Sequence, residues 1–168
     1  MNFEEICKKR ESVRMFKSDM ISEEDITKIL EFGRSAPTAK NIQPQKIFVV
    51  KSEDGIKKID ECTPCRYNAP VVLLICSDKS IAWSNGEDTT YEMDATIVGT
   101  FMMLGATSLG IDNIWLKAFD KNKVREVFNL EENICPICLI ALGYRKDEYK
   151  GSINHNNRKD LSETVKFI

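Results

Sequence analysis

Apolar residues along this chain recur at two spacings, and the alternation between them lays out helices and short strands in turn. Asn2 can cap a first helix whose inner face would carry Phe3, Ile6, Cys7 and Arg10. Ser22, Glu23, Glu24 and Asp25 open a second helix, with Ile26, Ile29, Leu30 and Gly33 at the i, i+3, i+4, i+7 positions and Pro37 as its stop. Four apolar runs read as strands: a short buried one over 47–50, a central one over 71–76, and two more over 113–116 and 138–143. Ser52 caps a helix that runs to about Glu61, and Asp120 caps another carrying Val124, Val127 and Phe128.

The longest pattern covers 89–109, with Thr89 and Glu92 spaced as a capping box and Gly110 as the stop. Ala95, Gly99, Gly105 and Ala106 are small there, while Ile97, Val98, Phe101, Met102, Met103 and Leu104 are large. A helix apolar around most of its circumference must be covered on more than one side. It is either a central helix of a monomer core or a subunit interface, and the pattern alone leaves both open. Residues 145–160 are charged and amide-rich, followed by Leu161, Val165, Phe167 and Ile168. Such a segment cannot pack by itself and reads as an arm lying on its own body or on a partner.

Composition narrows this further. At 168 residues, 42% apolar and 30% charged, the chain is expected to be a single domain over 1–168 with a substantial core. Lys and Arg number 24 against 26 acids, so no overall field attracts nucleic acid or an anionic membrane surface. The longest apolar runs are too short to span a bilayer, no secretory signal is visible, and six cysteines read as reduced thiols. The expected location is cytoplasmic.

Any anion site must then be local, and Lys8, Lys9, Arg10 and Arg14 supply it, with the Ser12 hydroxyl among them. Arg10 and Arg14 lie four apart, so one helical turn would put both guanidinium forks on one face, where they suit a phosphate dianion. Glu11 would point away. A solvated helix end is the plainer alternative. The loop 35–45 is held between Pro37 and Pro44 and presents Thr38, Asn41 and Gln43, whose donors and acceptors suit the edge of a heterocycle or, equally, water. His155 is the one histidine and reads as a surface residue. The pairs Cys62/Cys65 and Cys135/Cys138 have C-x-x-C spacing, but lie too far apart in the chain for a compact zinc ribbon. Neither a dinucleotide fingerprint nor a P-loop is present. No catalytic side-chain set stands out, so chemistry would fall to a cofactor.

Taken in order, the motifs resemble the FMN-dependent nitroreductase family in its short single-domain form. They are Arg10-x-Ser12-Val13-Arg14-x-Phe16, Ala36-Pro37-Thr38-Ala39-x-Asn41-x-Gln43-Pro44, Asn68-Ala69-Pro70-Val71-Val72, Asp94-Ala95-x-Ile97-Val98, Leu109-Gly110-Ile111 before Trp115, Leu142-Gly143-Tyr144, and Arg158 before a short apolar tail. The resemblance implies an α+β fold, an α-β-α sandwich with a central mixed sheet flanked by helices. It implies a homodimer with FMN at the interface and the 145–168 arm wrapping the partner subunit. Arg10, Ser12, Arg14 and Arg158 would hold the FMN phosphate. Pro37, Thr38 and Asn41 would reach the flavin from the partner, and main chain at Leu116, Lys117 and Ala118 would lie beside its N5. The implied activity is ping-pong transfer from NADH or NADPH to a nitroaromatic, quinone or similar small oxidant. Alternatives are a flavoprotein relative acting in dehalogenation or on activated double bonds, or a zinc or thiol module built on the C-x-x-C pairs. Three positions depart from the family pattern: Gln45 where Trp is common, Asn156 where a base is frequent, and Lys117-Ala118 in place of small glycines.

Overall fold

A computed structural model describes all 168 residues. Its centre is one sheet of four strands, β1 Gln45–Val50, β2 Val71–Asp78, β3 Asp112–Leu116 and β4 Ile134–Gly143, in the order β1-β2-β4-β3. Every ladder is antiparallel, so the expected mixed sheet is corrected: apolar periodicity reads burial, not strand direction. The parallel element is a single bridge between Ser12 and Asn113 on the outer side of β3.

Burial follows from strand order. Val71 through Ser77 are all buried, because β2 lies between two strands and has helices over both faces. Alternate side chains of β2 go opposite ways. Val71, Leu73 and Ile75 meet α2 (Glu23–Arg34) and α4 (Tyr91–Ser108) through Ile29, Val98 and Met102. Val72, Leu74 and Cys76 meet α3 (Glu53–Cys62) and α5 (Lys121–Val127) through Ile59 and Val124. The result is an α-β-α sandwich. The strand expected to be buried over 47–50 is instead an edge: Phe48 is 36% exposed, and only Val50 is buried in β1.

β4 begins four residues earlier than its apolar run indicated. Pro136 cannot donate to a ladder, and the strand tolerates it at a bulge: Ile75 pairs with Cys138 but Cys76 pairs with Pro136, which leaves Ile137 as the extra residue.

α4 packs closely because of its small residues. A Cβ on Gly99 would sit 2.7 Å from the Trp115 ring, and one on Gly105 would sit 2.3 Å from the Phe32 ring. Gly110 ends the helix with φ +79°. The expected capping box at Thr89 and Glu92 does not form. Thr90 takes the N-cap position without a side-chain cap, and its hydroxyl donates to Asp94 Oδ2 at 2.8 Å. Glu92 faces Lys121 instead.

The first helix, α1 (Phe3–Lys9), has the capping box Asn2–Glu5, yet none of its residues is buried. The expected inner face of Phe3, Ile6 and Cys7 is thus uncovered in the chain alone, with Phe3 69% exposed. A short α6 (Leu161–Thr164) follows the arm, and beyond it Phe167 and Ile168 stand in solvent.

Candidate functional site

The segment after α1 sets the site. Arg10 caps the helix with φ −58° and ψ 115°, and the backbone then runs extended: Ser12 bridges to Asn113, and Val13 N–H donates to the Asn113 carbonyl at 3.1 Å. The helical turn expected to align Arg10 with Arg14 is therefore absent. Extended chain has a period of two, so Arg10, Ser12 and Arg14 still share a side, while Val13 points into the core with no exposed surface. The co-location stands on a different geometry.

The C-terminal arm supplies the opposite wall. It leaves β4 beside residues 15–17, with Lys17 N–H donating to the Tyr144 carbonyl and Lys146 N–H to that of Met15. Arg145 then fixes its course. Its Nε and Nη2 donate to Asp112 Oδ1 at 2.9 and 2.6 Å, and its Nη1 to Glu11 Oε2 at 3.0 Å. The other Glu11 oxygen accepts from Ser152 N–H at 2.8 Å, and Tyr149 OH donates to the Ser12 carbonyl at 2.9 Å. Glu11 thus does not point away, as expected, but lines the site and pins the arm. Gly151 makes this possible: its φ is +77°, and a Cβ there would lie 2.6 Å from Glu11 Oε1.

Between the two walls lies a cavity of about 200 Å³ with no hydrophobic lining residue. Arg10, Glu11, Ser12 and Arg14 form one side and Ser152, Asn154, His155 and Arg158 the other. The three guanidinium groups donate within the chain to neutral oxygens. Arg10 reaches Ser12 Oγ at 3.3 Å, Arg14 the Ser12 carbonyl at 3.3 Å, and Arg158 the His155 and Asn157 carbonyls. Burial, and then the Arg158 charge, holds the Arg10 guanidinium below its ordinary range, with Glu11 opposing. Like charges whose own hydrogen bonds reach only neutral oxygens favour an anion that neutralises them.

The other expected residues lie elsewhere. Pro37, Thr38 and Asn41 belong to a loop around a 3-10 turn, Ala39–Asn41, which is fastened by Ala39 N–H donating to Asp94 Oδ1 at 2.9 Å and Gln43 N–H to Thr38 Oγ1 at 3.0 Å. Lys40, Asn41 and Gln43 all have positive φ, a strained conformation for non-glycine residues that the anchor to Asp94 helps to hold. Leu116, Lys117 and Ala118 stand at the end of β3, a few residues along from the Ser12–Asn113 bridge. The Lys117 ammonium donates at 2.8 Å to the carbonyl of Ile137, the bulged residue of β4. Within one chain neither group lines the anion cavity.

Sequence reasoning misread Glu11 and passed over Asp112, Arg145 and Gly151. Gly151, isolated in a polar arm, was the one local signal of a left-handed turn.

The cysteine pairs do not assemble a metal site: no group of three or more His, Cys, Asp or Glu side chains is placed to hold one. Cys135 and Cys138 belong to β4, and Cys62 is buried on α3. Burial pushes the Cys62 thiol up to about 11 and the Cys76 thiol up to about 12, and raises that of Cys138 as well. Thiols held protonated are poor ligands and nucleophiles.

Comparison with known proteins finds relatives in sequence and in fold. The nitroreductase family model matches residues 7–63 and 64–144. A relative from Archaeoglobus fulgidus, named for NADH dehydrogenase/NAD(P)H nitroreductase, is 32% identical over 146 residues, covering 83% of each chain. The crystal structure of a nitroreductase family protein from Clostridium difficile 630 superimposes with a TM-score of 0.92 at 35% identity, covering 99% of this chain and 98% of that one. Another, from Clostridium novyi NT, gives 0.81 at 29% identity over 92% and 90%. With a matching family model over most of its length and the same fold, the chain belongs to the nitroreductase family.

Proposed function

We propose that the protein is an FMN-dependent oxidoreductase that takes reducing equivalents from NADH or NADPH and passes them to a nitroaromatic, a quinone or a similar small oxidant, donor and oxidant using one site in turn. The observation that carries this reading is the cavity where Arg10, Ser12 and Arg14 from one end of the chain meet Arg158 from the other. Its donor set fits a phosphate monoester: three guanidinium forks and a hydroxyl, with no hydrophobic residue in the lining. FMN, when bound, supplies the hydride chemistry, which suits a chain in which no catalytic side-chain set is assembled.

The chain's own residues bind and orient. Arg10, Arg14 and Arg158 would take the phosphate, with Ser12 Oγ between them. Main chain at Leu116, Lys117 and Ala118 would border the reacting edge of the ring, and the side chain of Lys117 is turned onto the sheet, so its charge is not free to enter that space. Pro37, Thr38 and Asn41 would come from a second copy. A homodimer is supported by the apolar groove of about 270 Å³ among Phe3, Ile6, Phe32, Phe101 and Leu104, beside the mostly apolar α4. Of the arm over 145–168 expected to wrap the partner, residues 145–155 lie on their own chain, so in this reading only the apolar tail after Leu161 extends to the partner. No helix is long and apolar enough to cross a membrane, and the thiols are unpaired, which suits a cytoplasmic enzyme.

Purified protein should be yellow and should release a chromophore that elutes as FMN. Turnover of a nitroaromatic, a quinone and an enone with each nicotinamide would then define the oxidant. Protein that is colourless and takes up no added FMN sinks the reading.

A further inference from the structure

The guanidinium groups of the cavity carry fixed charge, but His155 does not. Its half-buried ring lines the anion cavity with Arg10, Arg14 and Arg158, and it also lines an adjoining cleft of about 310 Å³ with Glu4, Cys7 and Lys8. Its Nε2 lies 3.0 Å from the Lys8 carbonyl at the C-terminal end of α1. A carbonyl only accepts, so Nε2 carries the hydrogen, and the neutral ring presents a bare lone pair at Nδ1. That atom has no partner within the chain, and a lone pair offers nothing to a phosphate oxygen. Once protonated, the same nitrogen becomes a charge-assisted donor. The backbone keeps the ring in place in both states, since His155 N–H donates to the Ser152 carbonyl at 2.9 Å, and Ser152 is itself held by Glu11.

We infer that His155 is a pH-responsive fourth cation of this cavity, which grips a phosphate ester more tightly as the pH falls through the imidazole range. The inference rests on the FMN reading only for the identity of the ligand. The charged and titratable groups facing the ring are known from each side. From α1 come Cys7 and Lys8, the latter paired with Glu4. From the extended segment come Arg10, Glu11 and Arg14, and from the arm Arg158. Glu11 is already engaged by Arg145 and Ser152. A dianion bound among the three arginines would stabilise a positive charge on the ring. Binding and protonation then reinforce each other, so affinity rises as the pH drops from about 8 to about 6, until the phosphate itself begins to take a proton near 6. Asn156, the next residue, lines only the adjoining cleft.

Because this is the chain's one histidine, its ring protons give a unique NMR signal. Titrated between about pH 5 and 9, the midpoint of that signal is expected to move up by about one unit when the full-length protein is saturated with FMN, and likewise with inorganic phosphate; one unit corresponds to a tenfold gain in affinity for the protonated form. In parallel, the FMN affinity of the wild type relative to His155→Gln should rise about sixfold from pH 8 to pH 6, the variant cancelling the ligand's own titration. If FMN binds and the midpoint stays put, or the affinity ratio is flat, the inference falls while the flavin reading stands. If phosphate moves the signal and FMN does not bind, the flavin reading falls and His155 keeps its role. Failure of both ligands to bind at any pH overturns the two together.

Discussion

Two hollows flank α1, and they are built in opposite ways. The anion cavity on one side has no hydrophobic lining, and its walls come from chain ends more than a hundred residues apart, tied by Glu11, Arg145, Asp112 and Ser152. The groove on the other side is lined by Phe3, Ile6, Phe32, Phe101 and Leu104, and polar contacts do not close it. Each wall of the cavity is held by hydrogen bonds whose partners are present in the one chain. The groove leaves apolar side chains in water, a state that burial against a second surface relieves. The difference separates what the chain completes alone from what it leaves to a partner.

The comparison breaks most visibly at the groove. Leu104→Asp puts an unpaired carboxylate where the dimer would bury a leucine, at a cost of about 3–5 kcal/mol to association. Sedimentation should show a dimer turned to monomer at micromolar concentration with helix content retained; an unchanged dimer would place the interface elsewhere. On the other side, Arg14→Ala should weaken FMN binding by about 1.5–3 kcal/mol, the scale of a hydrogen bond to a charged group, as read by fluorescence titration. Unchanged affinity would mean that the phosphate sits away from the cavity.

The two hollows also differ in how far the chain announces them. The helix over Glu23–Arg34 was legible from its repeated period and the central strand over Val71–Asp78 from an unbroken apolar run, each a local signal of burial. Arg10, Ser12 and Arg14 were legible as residue types, though the backbone aligning them is extended where a helix was expected; i and i+4 share a side in both conformations. Glu11 was misread because its partners, Arg145 and Ser152, lie 134 and 141 positions away, and local spacing carries no trace of them. The start of β4 was hidden by Pro136, which ends a strand unless the strand itself bulges there, as β4 does at Ile137. Phe3 was assigned to an inner face that exists only if something covers it.

Gly151→Ala probes the closure of the cavity and not its charge. A side chain at φ +77° costs about 1–2 kcal/mol, and its Cβ would press on the carboxylate that holds the arm. The arm should loosen, seen as faster amide exchange over residues 149–158, and FMN affinity should drop roughly five- to tenfold with an unchanged core. Equal exchange in the two proteins would show that Glu11 holds the arm without help from the glycine.

The smallest effect is expected at Lys117, and it decides what the cation beside β3 is for. The resemblance sets this residue next to the flavin, which makes its charge a candidate for tuning the ligand. Yet the ammonium is spent on the Ile137 carbonyl at 2.8 Å, and Ile137 is the residue that the bulge takes out of register. An extra residue in a strand leaves the ladder disrupted around it, and this lysine supplies a donor there. Lys117→Met keeps the length of the stem and removes the donor, so unfolding free energy should fall by about 1 kcal/mol. FMN affinity should hold constant, because in the proposed reading the phosphate is held by Arg10, Arg14 and Arg158, whose cavity Lys117 does not line. Denaturant midpoints and flavin titrations on the same preparation separate the two quantities. A variant with wild-type stability and weakened FMN binding would reverse the assignment and make Lys117 part of the ligand site.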